Sequence, residues 1–503
     1  MKKIFLLVGL SCLCWSLSAQ PKKASDTDQY LAAMHRYITS EKLFEYVKHL
    51  SDSSFEGRLA GSPGMAKAVK WAENRFEEWG LTPAGDNGTY IQQFPHPCVE
   101  VRKGSYMNIL FPTGKKGEAW ITKSYPWADG WFAGGTSGNG EVQAEVVYAG
   151  YGVTAPELGY DDYKGIDVKG KIVLIEGETP NRSNHPDTLA MWYPYTLHHH
   201  KVENAAKHGA VGMLYKWVPG PNNAYVPGFV YCYVTTPVVN DIFSGTGKTY
   251  RETIKRIRQT QKPASFHTGK KATIKMVTDY NPKATGKNVV GYIKGSDPQL
   301  ADEFVIISGH LDHLGMIPYH IAGANDNNSA TAVLMGVAEA MAKCPVKPKR
   351  SVLFINIDGE EAGLTGSTYY TQHPIVPKEK VLGILNLEQV GVGQRLYISY
   401  GIEYPGIAPY FKEANDRYVH RPLGMWSSRH LTRPRTDGAV FMKAGYPCVD
   451  IGAGGGENSY YHHPKDDYNT ITPEILQDCA KMLYWTAILM ANGERQDLSK
   501  PAR

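Results

Sequence analysis

The sequence predicts an α/β fold: a mostly parallel mixed sheet flanked by helices, interrupted by a separate β-rich unit. Three observations predict it. From about Asn288 onward, apolar runs of strand length alternate with helix-length runs, the pattern of parallel strands joined by crossover helices. Between about 115 and 270 the texture changes to short Val, Ile and Tyr runs bounded by glycine. At 503 residues the chain is too long for one ordinary domain. The expected division is a leader over 1–20, the first part of the main domain over 21–114, the insert over 115–270, and the rest of the main domain over 271–503.

In chain order, "MKKIFLLVGLSCLCWSLSAQ" pairs Lys2 and Lys3 with an apolar run from Ile4 to Trp15 and a small-residue cleavage site, Leu17-Ser18-Ala19. It reads as a signal peptide, so the protein is expected to be exported, periplasmic or secreted. The run is too short for a comfortable bilayer span and no other stretch is long enough, so no stable membrane insertion is expected. An amphipathic helix is expected near Met65 to Trp79, stopped by Gly80. In the insert, "GEVQAEVVYAGYGV", "KGKIVLIEG" and "GAVGMLYKW" read as strands and "KVENAAKHGA" as a short helix. The main domain resumes with "NVVGYIKG", "EFVIISGHLD", "SVLFINID", "VLGILNLEQVG" and "PCVDIGAG" as strands, and "SATAVLMGVAEAMAKC" as a helix with one apolar face.

Composition narrows the function classes. Charged residues make up 20% and the net charge is +5, with no Lys/Arg block, which gives no support for a nucleic-acid partner. After the leader, Cys98, Cys232, Cys344, Cys448 and Cys479 form an odd, sparse set without a CxxC pair. That is neither a disulfide framework nor a thiolate zinc site.

The chemistry lies where the strands end. Ligands of open α/β sheets bind beyond the carboxyl ends of the strands. "FVIIS" is followed by His310 and Asp312, and "GANDNNSA" holds Asp326. "VLFINID" runs into Glu360 and Glu361, "VLGILN" into Glu388, and "VDIGAGGG" leads to Tyr461, His462 and His463. Alone, Asp326 reads as a helix N-cap and His310 as a hydrogen-bonded core histidine. Together, several acids converging in one crevice repel one another unless a cation lies between them. Imidazoles and carboxylates suit Zn²⁺, or less exclusively Mn²⁺ or Co²⁺, and five such ligands fit two ions with one bridging carboxylate. One of the adjacent glutamates can then bind metal while the other handles protons.

The motifs "SGHLD", "GANDNNSA", "DGEEAGLTGS", "LNLEQVG" and "YYHHPKDD" resemble the di-zinc aminopeptidases and glutamate carboxypeptidases of metallopeptidase family 28. "FEGRLAGSPGMAKA" is similar to that family's opening segment, and "YDDYKGIDVKGKIVLIEG" with "KVENAAKHGAVGMLY" to its inserted protease-associated domain. The resemblance implies two Zn²⁺, one held by His310, Asp326 and Glu388, the other by Asp326, Glu361 and His462. It implies that Glu360 is the general acid/base acting on a metal-bridging water, that Asp312 orients His310, and that Tyr461 stabilises the tetrahedral intermediate. It also implies a cis peptide after Asp326. The implied activity is exopeptidase hydrolysis of peptides, an aminopeptidase in the first instance. Carboxypeptidase or dipeptidase activity, a glutaminyl cyclase and a non-catalytic receptor-like homologue are the alternatives. The family usually has Asp where this chain has Glu388, and Thr where it has His463, which leaves His463 open as the ligand in place of His462. Two further stretches read as bland: "HHH" at His198–His200 as local packing in the insert, and "RHLTRPR", Arg429 to Arg435, as a solvated loop.

Overall fold

The computed structural model describes residues 25–113, 119–426, 435–456 and 460–500. The leader and most of the basic run after Arg429 lie outside them. No described helix is long and apolar enough to cross a membrane. The main sheet contains β1 (Thr82–Pro83), β2 (Ile91–Pro95), β3 (Thr285–Ile293), β4 (Phe304–His310), β5 (Ser351–Ile357), β6 (Val381–Glu388), β7 (Arg395–Ser399), β8 (Leu423–Trp426) and β9 (Cys448–Gly454). Their order is β1–β3–β5–β4–β6–β9–β7–β8, with β2 also paired to β3. The four middle strands, β5–β4–β6–β9, are parallel, and antiparallel strands continue the sheet on each side. Runs such as Val305–Ile307 and Val352–Ile355 are apolar at successive positions because both faces of these strands are covered.

The helix Ser329–Lys343 departs from the one-faced expectation, since every residue from Ser329 to Met341 is buried. It touches β4, β5 and β6 and is overlaid by the helices Asp26–Tyr37, Ser40–Leu50 and Pro473–Asn492. Its small residues permit this, for a Cβ on Gly336 would lie 2.4 Å from Leu43 Cδ2.

The insert builds its own eight-stranded sheet and its own hydrophobic core. Its edges differ from the expected 115 and 270. Tyr106–Thr113 pairs antiparallel with Phe266–Met276, so the second sheet begins earlier and ends later. Neither strand carries the Val/Ile/Tyr texture that marked the insert: "FHTGKKATIKM" alternates lysines with apolar residues because one face is solvated. Leu314, Ile317 and Ile321 of the main domain are buried in the insert's core, and Trp127 Nε1 donates to Ile317 O at 2.6 Å. The loop after β4 is therefore the seam between the two units. All five cysteines after the leader are buried and unpaired.

Arg58 ties this seam to the amino-terminal helices. It is fully buried with a left-handed backbone, φ 54°. Its guanidinium donates to the carbonyls of Leu311 (2.9 Å), Leu50 (2.8 Å) and Ala322 (2.8 Å). Burial pulls its pKa down to about 10, against the pull of Asp312 and Asp466, so it stays charged at neutral pH. Arg58→Met keeps the stem but orphans these carbonyls. We expect a loss of ~3 kcal/mol or more, read as a thermal midpoint lowered by several degrees with or without added zinc.

Candidate metal centre

The register of the parallel strands aligns the donors before any loop is considered. His310 lies level with Ile357 of β5, Gly309 with Leu387 of β6, and Glu388 with Gly452 of β9. Loops leaving these ends add Asp312, Asp326, Glu360, Glu361 and His462. Asp326 sits between two imidazoles: its Oδ1 is 3.4 Å from His310 Nε2 and its Oδ2 is 3.4 Å from His462 Nε2. Glu388 Oε2 approaches His310 Nε2 at 3.7 Å, and Glu361 Oε2 approaches His462 Nε2 at 2.9 Å. The five residues thus form two lobes that share one carboxylate. Glu360 joins the first lobe, with ligand atoms of His310, Glu360 and Glu388 within 4.8 Å of one another.

The donor set fits a pair of divalent cations. Asp326 Oδ2 and, when its ring is neutral, His462 Nε2 offer buried lone pairs to the shared space. Orphaned lone pairs of this kind, on borderline-hard donors, are what coordination would satisfy.

Surrounding residues hold the donors still. Asp466 accepts from the backbone N–H groups of Asn325 (2.8 Å) and Asp326 (3.1 Å), and the Asp326–Asn327 peptide is cis. Asn327 pins this loop to the end of β6, donating to Leu387 O and accepting from Gln389 N. Asp312 lies beside His310 and has further partners. Its carboxylate is 3.7 Å from His310 Nδ1, whereas its own backbone carbonyl is 3.2 Å away. The carboxylate accepts the N–H groups of Glu360 (3.1 Å) and Glu361 (3.2 Å), fixing the turn that separates them. Glu388, longer than the usual aspartate, is steadied by Asn386 Nδ2 at 3.1 Å.

Sequence reasoning missed two participants. Fully buried His313 meets Glu361 Oε1 through Nδ1 at 2.8 Å, which leaves Oε2 for the shared space. Its signal was its place in "HLDH", one residue after Asp312. Arg58 is the other: a buried cation beside the acids, where none was foreseen.

The acids still outnumber the cations. Burial raises Asp312 to about 7, with Glu361 adding to the effect and His310 opposing it. Burial, then Glu388 and Glu361, hold Glu360 well above the usual carboxylate range, against His310. Burial disfavours a charged His462, yet Glu361 and Asp326 push it up to about 10. His310 is raised likewise by Glu360, Asp326 and Glu388.

Above the donors opens a cleft of about 400 Å³. Glu360, Leu364 and Tyr461 line it from the main domain, and Trp217, Val218 and His198 from the insert. Tyr461 is 44% exposed, its ring stacked on His462 with centroids 3.7 Å apart. His198 Nδ1 bonds Tyr215 OH at 2.6 Å, and the described candidate metal clusters do not include the His198–His200 run. His463 meets the backbone N–H of Lys465 through Nδ1 rather than entering either lobe.

Residues 288–487 match peptidase family M28, and residues 142–232 match the PA domain. The chain is 27% identical over 223 residues to aminopeptidase YwaD of Bacillus subtilis, covering 42% of this chain and 46% of that protein. It is 26% identical over 208 residues to a vacuolar membrane protease of Lodderomyces elongisporus, 41% of this chain. This chain spans 20% of that relative's length. Among solved structures, an aminopeptidase from Aneurinibacillus sp. strain AM-1 superposes with a TM-score of 0.64 at 22% identity, covering 95% of this chain and 99% of that one, a likeness of fold.

The surrounding carboxylates shift both imidazoles toward the protonated form, and a cation needs their lone pairs. Zinc binding should therefore release protons at neutral pH. Since acid favours the protonated competitor, apparent affinity should rise between about pH 6 and about pH 8, roughly tenfold per unit for each proton displaced. Calorimetry in buffers of different ionisation enthalpy gives the count. A count of zero would mean that the imidazoles are neutral in the metal-free protein.

Proposed function

Because residues 288–487 of this chain belong to peptidase family M28, with a PA domain inserted ahead of them, we propose that the protein is an exported zinc exopeptidase that removes amino-terminal residues from peptides. The single observation that carries the catalytic reading is Asp326 set between two buried imidazoles, one per carboxylate oxygen. In this reading His310, Asp326 and Glu388 hold one zinc, and Asp326, Glu361 and His462 the other. Bound there, the ions would supply Lewis acidity, lowering the pKa of water and polarising the scissile carbonyl.

The chain's own residues do the rest. Glu360 and Glu361 are neighbours with different surroundings. Glu361 is clamped, one oxygen toward His313 and the other toward His462. Glu360 is half-buried at the cleft, its N–H fixed by Asp312 and its carboxylate free of such a clamp. With cations beside it to offset Glu388 and Glu361, Glu360 would be ionised, and it takes the proton of the attacking water and returns it to the leaving amine. Tyr461, at the rim, is the proposed hydroxyl donor to the oxyanion.

The choice of the amino terminus follows the likeness to aminopeptidase YwaD of Bacillus subtilis. Arg435, a cation at the rim, is engaged by Glu178 of the insert. Export is proposed on the leader sequence alone.

Glu360→Gln should keep both zincs and still bind peptide while turnover falls by ~10²–10⁴-fold or more. Glu361→Gln should lose zinc. Metal content and turnover of the two variants decide the division of labour, and the reverse pattern would exchange the roles. Short peptides with a free amino terminus should be cleaved, and their N-acetylated forms spared. Cleavage of the acetylated set, with C-terminal amides spared, would instead make the enzyme a carboxypeptidase.

A further inference from the structure

His462 is held by both units of the protein. Its Nε2 faces Asp326 and Glu361 of the main domain. Its Nδ1 lies 2.5 Å from the carbonyl oxygen of Pro219, which belongs to the insert. A carbonyl can only accept, so the proton is on Nδ1 and Nε2 presents its lone pair to the shared space when the ring is neutral. The backbone of His462 is left-handed, φ 55°, a conformation that persists only where surroundings over-determine it. Tyr461 stacked on one ring face and Pro219 at one ring edge are those surroundings.

The Pro219 segment is itself fixed by the insert's interior. Tyr233 OH donates to Gly220 O at 2.9 Å, and Asn223 Nδ2 donates to the hydroxyls of Tyr233 (2.7 Å) and Tyr231 (2.9 Å). All three side chains are buried. A chain of hydrogen bonds thus runs from the insert's core, through one backbone turn, to a donor of the candidate metal centre.

We propose that the insert is a working part of the metal centre: the Pro219 carbonyl fixes the tautomer and tilt of His462, so the zinc on that side is held tightly only while the insert is docked. The inference rests on the proposed reading of His462 as a ligand. Partners of this kind typically change metal affinity by ~10–100-fold. Pro219 is in this sense a positioning residue, supplying no ligand atom.

The test is a zinc titration against a chromophoric chelator, resolving two dissociation constants in the full chain. The first variant exchanges the Pro219–Gly220 amide for an ester by placing glycolic acid at position 220, which weakens the Pro219 carbonyl as an acceptor and keeps the shape. The second, Tyr233→Phe, loosens the turn from within the insert. Both should weaken one zinc by ~10–100-fold and leave the other within about twofold. Both should also move the downfield imidazole Nδ1–H resonance of His462, assigned by its loss in His462→Ala. If both constants are unchanged in the ester variant, or both fall together, the proposal is overturned. If the unaltered protein binds fewer than two zincs, or His462→Ala keeps two, the ligand reading has failed instead.

Discussion

A crowd of carboxylates at the mouth of a parallel sheet is the constraint around which this protein is arranged. Asp312, Asp326, Glu361 and Asp466 are buried at one edge, with Glu360 and Glu388 beside them. Burial works against their charge, and Asp312 and Asp466 are pushed to about 7 by burial and by neighbouring acids. The protein answers with geometry. Two imidazoles are set on either side of Asp326, and backbone N–H groups are turned toward Asp312 and Asp466. One guanidinium is buried close by, with its hydrogen bonds given to carbonyls rather than to the acids. It therefore adds positive charge without occupying a carboxylate oxygen, and the oxygens of Asp326 and Glu361 stay directed inward.

Much of this edge was legible in the sequence. A buried parallel strand has no reason to end in acids, so "VLFINIDGEE" and "FVIISGHLD" mark a site wherever the chain places them. Once several such ends belong to one sheet, the register brings them level. What was not legible depends on contacts with no local signature. Arg58 and Leu311 are 253 residues apart, and an arginine in a Gly/Ser/Pro loop looks solvated until the fold closes over it. His313 resembled an ordinary loop histidine because its role comes from Glu361, brought near by the pairing of β4 with β5. For Asp312 the backbone partners had no signal in the sequence. The family resemblance suggested the ring, and the turn between the glutamates also takes the carboxylate.

The edges of the insert show a different limit. Composition located its middle, where strands are covered on both faces, and lost its margins, where Tyr106–Thr113 and Phe266–Met276 are half-solvated and alternate. Those margins carry the topology. Where the insert leaves and rejoins the main domain, Cys98–Val101 pairs with Thr278–Asn281, and β2 pairs with β3 just beyond.

That paired stalk bears on how the chain assembles. Ile91 must find Val289 for β2 to join the main sheet, a closure across nearly two hundred residues. Contacts so distant in sequence slow folding, because the entropy of the intervening loop is lost before the pairing rewards it. Here the intervening segment has its own core, and its first and last strands are partners, Tyr106 opposite Lys275. Once the insert has folded, the two ends that the main sheet needs already emerge side by side. The long closure becomes a short one, and a domain placed in the middle of another acts as a splint for the host's edge strands.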